Sequence, residues 1–364
     1  MALPSATLRS CLLAAAHLLT GGCAEGSGPP LIAVAGGTAY LDAARLAVQE
    51  AEEAGTLPPF DTLFLVEVSN RAAPALAIAG EVVSHPDLVA VVGHANSASS
   101  LATAQIYNQS EVVQIAPTST APAYSEAGPW SFRMVPSDAR QGLFLVERVA
   151  EAFPDGARIA LFYVNDDYGR GIRNAVRATL PGGRFPLVVD LPHLEGDVKD
   201  QDVRRGIAAL EAASPDVILW LARPEVLARF LPSIREQWPA LPIIAGDAVA
   251  RALTLSHEPS FWRGVAYSDF VDPADPDVAA FLTRFEARVG TRGSGGEVLV
   301  RDAVRMVLEA IRDGSRTSAE IRAWLESLGS RRAAFEGLSG QVAFDPAGDV
   351  RGSRFVLRRF DEGG

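Results

Sequence analysis

Polar side chains follow two predicted strands, at the point where each strand ends. The apolar run 89–92 stops at Gly93, and the apolar run 112–116 leads into a Pro-Thr-Ser-Thr turn. The side chains that these two turns supply are Asn96, Ser97, Ser99, Thr118, Ser119 and Thr120. Ligands of open α/β sheets bind in the crevice beyond the carboxyl ends of the strands. A helix is predicted to begin at Ser97, and the free N–H groups at a helix start suit a carboxylate or a phosphate.

Each of the two turns also has a purely structural interpretation. Ser97 stands where a helix N-cap is expected, so its hydroxyl could serve only to cap the helix that runs to Tyr107. Thr118, Ser119 and Thr120 could form an ordinary polar turn ahead of a proline. Both interpretations stay open for each turn alone. The adjacency of the two turns at one sheet edge is what favours a binding site.

A second group of candidates lies in the other half of the chain. The predicted strand 157–164 runs into the polar loop 165–168, and Asp247 follows another short predicted strand. Tyr168 could simply pack at a helix start, and Asp247 could cap the segment that follows it. A dinucleotide-binding enzyme is a further interpretation, with Asp190 as the ribose-binding acid, although the stretch GRGIRN lacks the third glycine of that fingerprint.

Catalytic and metal-binding patterns are otherwise missing from the sequence. It contains no GxSxG, Walker loop or HExxH motif, and its histidines are scattered without metal-ligand spacing. These are His17, His85, His94, His193 and His257. The formal net charge of −11 disfavours nucleic acid and anionic membranes as partners. We therefore expect a protein that is not an enzyme and that carries no metal ion or cofactor.

The N-terminal residues resemble an export signal. The mostly apolar run 11–19 is too short to span a bilayer, and small residues then precede Cys23. This arrangement is similar to a bacterial lipobox, in which Cys23 becomes the lipid-modified first residue. We predict a signal peptide at 1–22 and a lipid-anchored tether at 23–30; the alternative is a cytosolic protein with an apolar tail. Because Cys11 also lies in the leader, the mature chain would contain no disulfide.

Strands and helices alternate from residue 31 onward, which is typical of βαβ units in parallel sheets. A length of 364 residues, 48% of them apolar, favours two lobes over a single core. The pattern from about 277 to 328 is helical, and the strand-like segments 340–345 and 354–360 must pair back onto an earlier sheet. The predicted N-terminal lobe comprises residues 31–137 and 268–345, and the predicted C-terminal lobe comprises residues 138–267 and 346–364.

Three stretches of the sequence resemble a known family. They are VVGHANSASSLATAQIYNQSEVVQIAPTSTAP, then WSFRMVPSDARQG with ARIALFYVNDDYGRG, and finally GLSGQVAFDPAGDV. They are similar to segments of the type I periplasmic solute-binding proteins of the leucine/isoleucine/valine-binding family, which serve branched-chain amino acid ABC transporters. The resemblance extends over residues 31 to 361. It implies an α/β fold of two Rossmann-like lobes, joined by crossover strands, with a ligand cleft between them.

The resemblance also assigns roles to the candidate residues. Ser97 would bind the α-carboxylate of an amino acid, Thr118 would act through its backbone, and Thr120 would contact both carboxylate and ammonium. Tyr168 and Asp247 would approach from the other lobe, with Asp247 opposite the ammonium. A buried zwitterion needs donors at one end and acceptors at the other, because an unpaired buried charge is costly. The predicted ligand-binding residues are Asn96, Ser97, Thr118, Ser119, Thr120, Tyr168 and Asp247.

The function that the resemblance implies is capture of an amino acid, or a similar small zwitterion, for an ABC importer. The protein would be a monomeric lipoprotein on the periplasmic or outer face of a bacterial membrane, and its partner would be the membrane permease. The alternative is a ligand-sensing or regulatory lipoprotein on the same fold. The sequence departs from the family at three points. Loop 35–40 is short, which would remove a ligand-contacting segment; Ala222 falls near a commonly aromatic pocket position; and Asn96 stands where the family has a disulfide.

Overall fold

Two β-sheets with separate apolar cores form the frame of the molecule. The computed structural model describes residues 28–59, 63–67, 71–193, 198–254 and 259–360. The predicted signal peptide, Cys23 and His257 lie outside these residues. Each sheet carries its own set of helices, so the predicted fold of two α/β lobes is confirmed.

The elements follow one another in the alternating order that the sequence predicts. The strands are β1 (Leu31–Gly36), β2 (Leu63–Glu67), β3 (Leu88–Gly93), β4 (Val113–Ala116), β5 (Ser131–Arg133), β6 (Ile159–Val164), β7 (Leu187–His193), β8 (Val217–Leu221), β9 (Ile243–Ala245), β10 (Val265–Asp269), β11 (Phe335–Gly337), β12 (Gly340–Val342) and β13 (Val356–Arg359). The α-helices are α1 (Thr38–Glu53), α2 (Ala72–Val82), α3 (Ser97–Gln109), α4 (Asp138–Ala152), α5 (Asp167–Thr179), α6 (Asp200–Ala213), α7 (Pro224–Gln237), α8 (Pro276–Val289), α9 (Gly295–Arg312) and α10 (Ser318–Ser327). Short 3₁₀ helices occupy Pro122–Glu126, Asp247–Thr254 and Pro259–Trp262.

Lobe 1 is built on the parallel sheet β2-β1-β3-β4-β5. Its central strands β1 and β3 are apolar and buried along their whole length, as expected for a parallel sheet covered on both faces. Helices α1, α8, α9 and α10 pack on one face, where Ile32 and Val34 point. Helices α2 and α3 pack on the other face, where Ala33 and Ala35 point.

Lobe 2 is built on the sheet β13-β10-β9-β8-β6-β7, with α4, α5, α6 and α7 packed on it. Its strands are parallel except β13, which pairs antiparallel with β10. The prediction that segment 354–360 returns to an earlier sheet is therefore confirmed. The same prediction is wrong for segment 340–345, because β12 pairs with β11 in a separate hairpin. Buried Asp302 of α9 fixes that hairpin by accepting hydrogen bonds from the amides of Leu338 (3.1 Å) and Ser339 (2.7 Å).

The chain crosses between the lobes after β5, after β10 and before β13. Arg133, a fully buried cation at the first crossing, connects it to the third. Its Nη1 donates to the carbonyl oxygens of Thr120 (3.2 Å) and Ala121 (3.0 Å). Its Nη2 donates to the hydroxyl of Ser125 (2.6 Å) and to Asp349 of the third crossing (2.7 Å). The first and third crossings are thus joined behind the turn that follows β4.

Across the part of the chain that the structure describes, no helix has both the length and the apolar character needed to span a membrane. Within the same residues, histidine, cysteine and carboxylate side chains form no cluster suited to a metal ion.

Candidate functional site

A cavity of about 470 Å³ lies between the two lobes. Lobe 1 lines it with the residues that follow β1, β3 and β4 and with the start of α9. Lobe 2 lines it with the residues that follow β6, β8, β9 and β10. Because nearly all these segments begin where a parallel strand ends, the cavity occupies the position at which open α/β sheets bind ligands.

The structure brings five of the predicted residues together in the wall of this cavity. These are Asn96, Ser97, Thr118, Tyr168 and Asp247. Ser119 and Thr120 are fully buried behind the wall instead. The Ser119 hydroxyl donates to Ser100 Oγ at 2.7 Å, whereas Thr120 Oγ1 has no hydrogen-bond partner among the described residues.

Ser97 opens α3 without capping it. The N-cap is Asn96, whose Oδ1 accepts the amide N–H of Ser99 at 2.9 Å, so the capping interpretation of Ser97 is wrong. Ser97 Oγ accepts the amide N–H of Ala121 at 3.1 Å and keeps its own proton to donate. Its side chain lines the cavity, where that proton is available to an anion.

Tyr40 is a cavity residue that the sequence interpretation missed. The short loop after β1 was expected to remove ligand contacts, but α1 begins at Thr38, and its first turn lines the cavity. The Tyr40 hydroxyl lies 2.9 Å from Thr118 Oγ1, which donates its own proton to the carbonyl oxygen of Ala95 at 3.1 Å. Tyr40 is therefore the donor of this pair, and burial raises its pKa, which keeps it protonated. The sequence did offer one indication of this role, because Tyr40 is an aromatic residue just beyond the carboxyl end of β1.

Asp247 supplies a negative charge to the lobe 2 wall. It starts the 3₁₀ helix that follows β9 and is 9% exposed. Gln141 Nε2 donates to its Oδ1 at 2.7 Å and also to Ser268 Oγ at 2.7 Å. Burial raises the pKa of Asp247 to about 6, against the opposing effect of the Gln141 hydrogen bond. At neutral pH Asp247 is therefore mainly a carboxylate in a site where water screens it poorly.

Tyr168 leaves a polar atom unpartnered in the same wall. Its side chain is 6% exposed, and its hydroxyl has no hydrogen-bond partner among the described residues. Burial, followed by the carboxylates of Asp247 and Asp138, raises its pKa well above the ordinary value, so it remains a donor. Tyr168 also lowers the pKa of Asp247, so its hydroxyl faces that carboxylate in the wall of the cavity.

Asp138 is a second buried acid behind Asp247. It is fully buried at the start of α4, and neither carboxyl oxygen has a hydrogen-bond partner among the described residues. Burial and the neighbouring Asp247 raise its pKa well above the ordinary value. The charged form of Asp138 is therefore disfavoured beside the Asp247 carboxylate.

The residues that suggested a dinucleotide site have other partners. Asp190 accepts hydrogen bonds from Arg173 Nε (3.1 Å) and Arg177 Nη1 (2.7 Å), both on α5. Asp190 does not belong to the cavity lining. Arg223, next to Ala222, does line the cavity, whereas Ala222 itself is buried behind it.

Comparison with known proteins extends over nearly the whole chain. Residues 27–363 match the model of the periplasmic binding protein family. The chain is 24% identical to an amino acid binding protein of Pseudomonas aeruginosa, over 90% of this chain and 87% of that protein. It is also 24% identical to Leu/Ile/Val-binding protein homolog 1 of Brucella abortus, over 75% of this chain and 72% of that protein.

A solved structure shows the same two-lobed architecture. An ABC transporter substrate-binding protein from Desulfitobacterium hafniense, in complex with Leu, superposes with a TM-score of 0.74 and is 26% identical. The superposition covers 92% of this chain and 98% of that one. The family match, the curated relatives and the interlobe cavity agree with one another. The chain belongs to the type I periplasmic binding proteins, in the branched-chain amino acid family.

Proposed function

We propose that this protein captures an amino acid, or a small zwitterion of the same kind, in the interlobe cavity and delivers it to the permease of an ABC importer. The observation that carries the proposal is the placement of a hydroxyl donor and a carboxylate on the two walls of one cavity. Ser97 belongs to its lobe 1 wall, and Asp247 belongs to its lobe 2 wall. The relatives named as amino acid and Leu/Ile/Val-binding proteins support the same ligand class.

The proposed ligand pose satisfies both charges of a zwitterion. The carboxylate would accept hydrogen bonds from the Ser97 hydroxyl and from free N–H groups at the start of α3, where the helix dipole also favours an anion. Thr118 would contribute through its backbone. The ammonium would face Asp247, with Tyr168 near it. Since both charges leave water, both need partners of this kind.

Closure of the cleft would complete the site. We propose a rigid-body hinge at the crossings, which moves residues 31–137 and 268–345 against residues 138–267 and 346–364. The closed monomer would then be the form that the permease recognises, and no catalytic residue is assigned.

The direct test is a thermal-shift screen of the purified protein against amino acids, small peptides and amides, followed by calorimetry. We expect at least one L-amino acid to raise the melting temperature, because a ligand that binds only the folded state stabilises it. If the screen finds no stabilising amino acid, the proposal fails. Uptake by membranes that contain the cognate permease would separate an importer from a sensor on the same fold.

Ser97→Ala should weaken ligands that carry a carboxylate by about 10- to 150-fold, since hydrogen bonds to charged groups contribute about 1.5–3 kcal/mol. The corresponding amino acid amides should lose much less, because they offer no negative charge to the hydroxyl. Calorimetry with both ligands measures the difference. Ser110→Ala, at the other end of α3, is the matched control. Equal losses for acids and amides would show that Ser97 acts only on the turn that it contacts.

Cys23→Ser should release the protein from the membrane fraction, because the proposed lipid anchor is attached to that sulfur. Immunoblots of membrane and soluble fractions measure the shift. Cys11→Ser, within the proposed signal peptide, is the matched control and should leave the protein at the membrane. A Cys23→Ser variant that stays membrane-bound would contradict the anchor.

A further inference from the structure

The start of α9 places a second carboxylate in the cavity wall. Glu297 is 4% exposed and lines the cavity. Its Oε2 accepts the amide N–H and the hydroxyl of Ser294, both at 2.7 Å, which forms a capping box. The capping box thus fixes this carboxylate at the helix start, in the wall of the cavity.

Capping alone does not account for this position. Helix α10 has the same device, in which Glu320 closes a capping box with Thr317. Glu320 is exposed, and hydrogen bonds from backbone amides lower its pKa. Hydrogen bonds from the hydroxyl and the amide of Ser294 also favour the charged form of Glu297, but burial outweighs them and raises its pKa. A charge withdrawn from water in this way needs a partner.

The other charges of the cavity are already matched. Cavity-lining acids and bases are Asp166, Asp247, Asp269, Glu297, Arg223 and Arg251. Arg223 Nη2 is 2.9 Å from Asp166 Oδ2. Asp269 accepts the amide N–H of Phe270 at 2.8 Å and lies 3.4 Å from Arg358 Nη1. Asp247 is the proposed partner of the ligand ammonium, so Glu297 is the remaining buried acid.

Arg251 does not neutralise Glu297 fully. It lies on the lobe 2 side and lowers the pKa of Glu297, but only as the last of several effects. Its side chain is 43% exposed and is 3.9 Å from Glu225. A solvent-exposed guanidinium shared with another acid compensates a buried carboxylate weakly.

Glu297 is also close to the proposed zwitterion site. Gly296 precedes it, and a Cβ at that position would lie 2.9 Å from the Tyr40 hydroxyl. The same hydroxyl is 2.9 Å from Thr118 Oγ1, in the wall assigned to the ligand backbone. The absence of a side chain at Gly296 leaves room for Tyr40, and Glu297 follows directly. Glu297 therefore lines the cavity beside the residues assigned to the ligand backbone.

We infer that the cleft selects an amino acid with a second positive charge on its side chain, a diamino or guanidino acid, and that Glu297 binds that charge. The inference rests on the proposed function and names its substrate class. Asp247 then binds the α-ammonium, Ser97 the carboxylate and Glu297 the side-chain cation.

The experiment compares L-lysine, L-ornithine and L-arginine with L-norleucine, which has the carbon chain of lysine without its terminal amine. Calorimetry is run on the wild-type protein, on Glu297→Gln and on Glu320→Gln. Glutamine preserves a capping box, so both variants keep their helix starts. Glu320→Gln is the matched control, since it makes the same change at a box outside the cavity.

We expect at least one cationic amino acid to bind about ten-fold or more tightly than norleucine, as a charged hydrogen bond predicts. Glu297→Gln should remove that preference and leave norleucine within about two-fold, while Glu320→Gln should change neither. Equal or tighter binding of norleucine, or equal losses for both ligands in Glu297→Gln, would overturn the inference. Binding of neutral amino acids alone would overturn it while leaving the proposed function intact. If the protein binds no amino acid, both this inference and the proposed function are contradicted.

Discussion

Asp247→Asn should raise the Kd of the tightest-binding L-amino acid by about 10- to 150-fold, which corresponds to about 1.5–3 kcal/mol for a hydrogen bond to a charged group. Asparagine has the size of aspartate and keeps an oxygen for the Gln141 amide, so the change removes mainly the charge. At 9% exposure, water cannot replace the lost partner of the ligand ammonium. Calorimetry at pH 7.5 measures the change.

Two controls separate this charge effect from a general disturbance of the cleft. The des-amino analogue of the same ligand lacks the ammonium, so Asp247→Asn should not weaken it further. Asp216→Asn, at an exposed position of lobe 2, should leave the affinity of the amino acid unchanged. If Asp247→Asn binds the amino acid as tightly as wild type does, Asp247 is not the ammonium partner.

The same carboxylate predicts a pH dependence. Burial raises the pKa of Asp247 to about 6, above its ordinary value, so the free protein holds a proton there below pH 6. A ligand ammonium binds the deprotonated form, and affinity should therefore fall by about ten-fold per pH unit below pH 6. Asp269 also has a pKa that burial raises to about 6, so it could contribute. A flat profile in Asp247→Asn assigns the effect to Asp247.

The lobes and the edge that holds the cavity follow from patterns that a sequence displays directly. Buried parallel strands are continuous apolar runs, and β3 and β4 are recognisable in the sequence for that reason. The polar residues that follow each run then located the turns that line the cavity. Strand β5 was missed, because its three residues include only one apolar side chain, Phe132, and so form no apolar run. Its pairing with β4 depends on tertiary contacts.

Which residue caps a helix and which one enters the cavity depend on backbone positions that differ by only one or two residues. Asn96 and Ser97 are both good capping residues, and only the backbone angles decide that Asn96 is the cap. Tyr40 enters the cavity because α1 starts immediately after β1 and because Gly296 leaves space for its hydroxyl. The contact between Tyr40 and Gly296 joins residues more than two hundred positions apart, so no local sequence pattern reveals it.

Arg133→Met should lower the free energy of unfolding by about 3–5 kcal/mol, the usual effect of breaking a buried charged network on one side. Methionine fills a similar volume but donates to none of the four partners. The carbonyls of Thr120 and Ala121 and the carboxylate of Asp349 therefore each lose one of their two donors. Urea denaturation measures the loss. Arg351→Met, at an exposed position of the third crossing, is the matched control.

The Arg133 network should also affect ligand binding, because it ends at the residue that positions Ser97. Arg133 holds the Ala121 carbonyl at 3.0 Å, and the Ala121 amide donates to Ser97 Oγ at 3.1 Å. A loosened turn would displace Ser97 and weaken the binding of amino acids and of their amides alike. Ser97→Ala, in contrast, should leave the binding of amides nearly unchanged. An Arg133→Met protein with wild-type stability and wild-type affinity would show that the buried guanidinium neither joins the crossings nor supports the ligand turn.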